Sequence, residues 1–133
     1  MSESQFPERG ILWRGWNDET LQLIQERGYP VLLFVADPHA IAWPLLQAVF
    51  RAMPKNAVLR ELLHERYPAL FIEADALPDE LKLLGAGDRY HIAVLSPAGL
   101  TPMITIDASR RPAAETVEEI TRILQRLDEV WRP

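Results

Sequence analysis

The side chains best suited to chemistry are Asp37 and His39, two residues apart, and the adjacent pair Tyr90 and His91. Two imidazoles with a carboxylate can ligate a divalent cation or relay a proton, because histidine titrates near neutral pH. Their spacing matches no diagnostic ligand motif. The simpler expectation is that Asp37 caps the following helix and both histidines sit at a loop surface. Other chemistry meets firmer limits. The chain contains no cysteine, and thiol-disulfide exchange needs a thiolate to attack a disulfide sulfur, so that reaction is excluded. Ser96, Thr101 and Ser109 lie in no Gly-x-Ser-x-Gly turn or comparable nucleophile setting. Gly85-Ala86-Gly87 follows an expected helix rather than a strand and lacks the spacing of a phosphate-binding loop. Asp79 and Glu80 follow Pro78 at an expected helix start, where the positive end of the helix dipole accounts for them. The residues alone assign no catalytic group, no metal site and no cofactor.

The composition narrows the function classes further. A chain of 133 residues, 48% apolar and 25% charged, suits one compact domain, expected over residues 11–133 behind a tail at 1–10. Its net charge is -5, and its arginines are scattered among carboxylates. Binding of nucleic acid is not expected, since phosphates call for a clustered cationic face. The longest apolar run, Val31 to Ala36, is far shorter than the roughly 20 residues that cross a bilayer, so no membrane association is expected either. Met1 to Pro7 has neither a basic nor an apolar leader segment, which predicts a cytoplasmic location.

The elements that must position these residues follow from periodicity and caps. Asn17, with Asp18 and Glu19 behind it, predicts a helix start, and Gly28 its left-handed end. Val31–Ala36 reads as a strand covered on both faces and is expected at the centre of a sheet. Trp43, Leu46, Val49, Phe50 and Met53 recur at helical spacing up to Pro54, and Asn56 caps a second helix through Leu62 and Leu63. Ala69–Ala74 reads as a strand; a brief helix from Pro78 to Gly85 or Gly87 follows. Ile92–Leu95 and Met103–Ile106, joined through Pro97-Ala98-Gly99, read as an antiparallel hairpin. A final helix carries Val117, Ile120, Leu124, Leu127 and Trp131 on one face. Such an order predicts a mixed α/β sheet with helices on both faces and a C-terminal hairpin plus helix.

Order and lengths together resemble the thioredoxin fold over roughly residues 11–131. Local wording is similar to the thioredoxin-domain family that includes the spermatogenesis-associated thioredoxin-like proteins. Leu12-Trp13-Arg14-Gly15-Trp16 leading to Tyr29-Pro30-Val31 resembles that family's Trp-x-x-Trp segment and the strand after it. Ala57 to Tyr67, Phe71-Ile72-Glu73-Ala74-Asp75 and Ala93 to Gly99 resemble its second-helix end, its next strand and its strand-turn before the hairpin. The resemblance implies a thioredoxin-like three-layer sandwich. It also implies where the family's Cys-x-x-Cys would fall, and here that segment reads Ala40-Ile41-Ala42-Trp43. The family's proline ahead of the hairpin strand aligns with Tyr90 or His91, where a non-proline peptide is expected to be trans.

Both departures fall on the redox site. They imply a non-catalytic domain that uses the degenerate active-site surface, formed by Pro38, His39, Ala40, Ile41, Trp43, Tyr90 and His91, to bind a protein partner or a second copy of itself. Trp43 is expected either to fill the vacated groove or to remain partly exposed in an apolar patch. The fold would also bring Asp37, His39, Tyr90 and His91 near one another, so the alternative is a metal- or acid/base-dependent enzyme built from those four. Trp13, Trp16 and Trp131 are expected to cover helix and sheet edges.

Overall fold

Val31–Ala36 is buried along its whole length, as an unbroken apolar run requires when both faces of a strand are covered. It forms β2, the middle strand of a five-stranded mixed sheet. The other strands are β1 (Trp13–Arg14), β3 (Ala69–Glu73), β4 (His91–Leu95) and β5 (Pro102–Ile106), in spatial order β1-β3-β2-β4-β5. β1 and β2 run parallel to β3, whereas β4 is antiparallel to β2 and to β5. Among the described residues the α-helices are α1 (Asp18–Arg27), α2 (Trp43–Ala52), α3 (Ala57–Glu65) and α4 (Ala113–Val130), the last of which follows β5. This computed structural model describes residues 11–79, 81, 91–106 and 112–131. The sequence expectation of a mixed α/β chain ending in a hairpin and a helix agrees with this order; the expected helix between Pro78 and Gly87 lies largely outside the described residues.

Alternation along β2 divides the core in two. Leu32, Phe34 and Ala36 face one side and pack with Phe50 of α2, Leu59 of α3 and Ile120 of α4. Val31, Leu33 and Val35 face the other side and pack with Ile24 of α1, Leu77 and Leu81. Each face of the sheet thus holds its own apolar cluster.

Local signals explain the helix ends. Asn17 Oδ1 accepts the Thr20 amide, and Gly28 closes α1 at φ 70°. Asn56 Oδ1 accepts the Leu59 amide and starts α3, directly after a 3-10 turn at Met53–Lys55 that contains Pro54. β1 was not anticipated as a strand. Its two residues are too few to show a period, and its pairing with Ala69 and Leu70 is set by distant chain.

Candidate functional site

The loop between β2 and α2 carries most of the sequence-predicted surface, and its backbone is pinned rather than slack. Asp37 accepts twice: its carbonyl oxygen takes the Ala40 amide at 3.0 Å, and its Oδ1 takes the His39 amide at 2.9 Å. The Ala40 carbonyl then accepts the Trp43 amide at 3.1 Å, which hands the chain to α2. Asp37 therefore stabilises its own turn and does not cap the helix, contrary to the sequence expectation. α2 has no side-chain cap; Pro44 stands in its first turn, where the missing amide hydrogen leaves no bond unmade.

These successive turns push Ile41 outward. Its side chain is 93% exposed, and Leu45, one turn further on, is 53% exposed. Pro38 and Ala40 are half-buried and His39 is exposed. Trp43 behaves differently. It is half-buried, with its ring 6.0 Å from Phe50 and 5.8 Å from Phe71, so most of the indole is spent on the core. Of the two outcomes expected for Trp43, packing against the apolar cluster dominates, and Ile41 is the residue left exposed at the tip.

β4 brings His91 to the same end of the sheet, since it pairs with Val35 two residues before Asp37. Cross-strand partners share a face. His91 therefore lies with Val35 on the α1 side, whereas Trp43 packs on the α2 side. The sheet itself separates those two side chains. Tyr90, one of the two residues aligned with the family's proline, lies outside the described residues. Among the described residues no three histidine or carboxylate side chains are grouped so as to hold a metal ion.

The chain matches no protein-family model and no curated protein. What the site can do is thus argued from its own groups: an exposed branched aliphatic side chain on a hydrogen-bonded turn, with Leu45 close by, is a rigid apolar knob. Sequence reasoning included Ile41 but gave the leading part to Trp43. Nothing in the local pattern separates the two, because exposure of a loop residue is decided by tertiary packing. No helix among the described residues is long and apolar enough to cross a membrane.

Proposed function

We propose that this chain is a redox-inactive thioredoxin-like domain of the cytoplasm that serves as a protein-binding or scaffold module, with the segment Pro38–Pro44, the turn and the start of α2, as its contact surface. Two features support the fold reading: the strand order β1-β3-β2-β4-β5 with an antiparallel β4-β5 hairpin, and the helix that follows directly from the turn after the central strand. That turn carries Ala40 and Trp43 at the places implied for the family's cysteines, and the chain has no sulfur nucleophile elsewhere. A fold hosts many functions, so the functional reading rests on the surface itself.

The observation that carries it is Ile41, almost fully exposed on a turn fixed by three hydrogen bonds. Preorganised apolar groups bind partners at a lower ordering cost than mobile ones. The acid/base alternative receives less support. The Asp37 carboxylate already accepts the His39 amide, and His91 lies on the other side of the sheet from α2.

Site-specific photo-crosslinking in living cells tests the reading. A photoreactive residue at position 41 is expected to give a discrete protein adduct that the same residue at Val58, an exposed position on α3, does not give. Equal adduct patterns at 41 and 58 would remove the loop as the contact surface.

A further inference from the structure

The sheet has a second surface, remote from the α2 loop, where β5 forms its free edge. β5 pairs with β4 alone, so one side of its backbone has no strand neighbour among the described residues. Exposed edges are commonly blunted by charge, by proline or by a bulge. Here Pro102 and the register irregularity opposite Val94 and Leu95 protect only the start of the strand. Met103-Ile104-Thr105-Ile106 carries no charge, and Met103 is 40% exposed. The other edge, β1, is two residues long and too short for comparable pairing.

Beside β5 the last turns of α4 leave an open apolar groove. Its apolar lining is Ile104, Ile123, Leu127 and Val130, the last of them 74% exposed. Arg126 and Glu129 border the same groove, and neither enters an ion pair among the described residues.

We propose that β5 and this groove form a two-fold interface with a second copy of the chain. A two-fold axis normal to the sheet sets β5 antiparallel to its copy, which completes the free edge. It also places both α4 helices on the same side, antiparallel, so that the groove meets itself. In such an isologous interface, if residue i touches residue j, then j also touches i. An arginine and a glutamate three residues apart on one helix become their own complement when the helix is reversed. Arg126 of each copy then faces Glu129 of the other, over apolar side chains that both copies cover. This reciprocal charge pattern selects a second copy over an unrelated apolar partner.

Sedimentation velocity on the full chain, across micromolar concentrations, is the test. The expected species has about twice the 15.2 kDa of one chain. Val130→Asp is expected to weaken association by roughly tenfold or more, with far-UV circular dichroism unchanged. Arg126→Glu and Glu129→Arg are each expected to weaken it, and the double variant to restore it, because the swap re-forms both pairs. A wild-type chain that stays monomeric throughout overturns the proposal. So does unaltered dimerisation of Val130→Asp, or a double variant no better than the singles. None of these substitutions touches the α2 loop, so either surface can fail without the other.

Discussion

The indole Nε1 of Trp131 donates a hydrogen bond of 2.7 Å to the carbonyl oxygen of Gly28, across 103 residues of sequence. Gly28 is the left-handed residue that ends α1, and Trp131 is the residue that ends α4. Two helix ends are thereby fastened together. A single half-buried hydrogen bond of this kind is worth about 1 kcal/mol net. Trp131→Phe removes the N–H together with the five-membered ring and is expected to lower the stability by at least about that amount. Hydrogen exchange should then quicken at the C-terminal turns of α1 and α4 together. Faster exchange at only one of them would mean that the bond does not couple the two helices.

Tyr67 lies fully buried, and its hydroxyl donates to Asp128 Oδ1 at 3.0 Å, while Arg66 Nη1 binds Oδ2 of the same carboxylate at 2.8 Å. Burial first, and then the hydrogen bond to a carboxylate, push the phenol pKa of Tyr67 well above its ordinary value. The sign of the consequence is fixed. Below about pH 10 both folded and unfolded chains hold the phenolic proton, so this stabilisation is fully present. Above that, the unfolded chain ionises first and stability falls as pH rises toward the folded-state pKa. Tyr67→Phe is expected to flatten this alkaline limb in urea unfolding followed across pH. Parallel limbs for the two proteins would assign the alkaline loss to other groups.

Much of the framework was legible because its signals are local. A six-residue apolar run fixes β2 as a strand covered on both faces, and Asn17, Gly28 and Asn56 mark helix ends through bonds within a few residues. β1, the Trp131–Gly28 bond and the Tyr67–Asp128 bond were not legible, since each joins segments far apart in the chain. The loop shows the same division. Asp37 has the residue type of a helix cap, yet it serves the turn that precedes α2 by several residues, and only the backbone path reveals which amide lies within its reach. Whether Trp43 or Ile41 remained outside depended on room beside Phe50 and Phe71, which no periodicity reports.

Asn56 links two helices through the two ends of one amide. Its Oδ1 accepts the Leu59 amide at 3.0 Å, and its Nδ2 donates to Thr121 Oγ1 at 3.3 Å, which itself donates to the Val117 carbonyl at 2.8 Å. Asn56→Ala removes both functions and is expected to cost about 1–2 kcal/mol. Asn56→Asp keeps the acceptor at the start of α3 and loses only the donor, so a smaller loss is expected. Urea midpoints decide between them. Equal losses for the two variants would mean that the contact with α4, rather than the cap, carries the stability.

Trp43 and Ile41 must be probed differently, although they lie two residues apart, Ile41 in the turn and Trp43 at the start of α2. Trp43 contributes ring contacts to Phe50 and Phe71, so Trp43→Ala is expected to cost about 2 kcal/mol, less than a fully buried indole would. Any loss of partner binding in that variant mixes a weakened fold with a damaged surface. Ile41 is exposed and its substitution leaves no cavity, so Ile41→Asp is expected to stay within about 0.5 kcal/mol of the parent. It nevertheless puts a charge on the proposed contact point, where an apolar partner would have to desolvate it. Thermal unfolding and photo-crosslinking from Leu45, measured together, separate the two effects. The expected result for Ile41→Asp is an unchanged unfolding temperature with loss of the adduct. An adduct that persists through Ile41→Asp and disappears only with Trp43→Ala would transfer the binding role from the exposed knob to the integrity of the core beneath it.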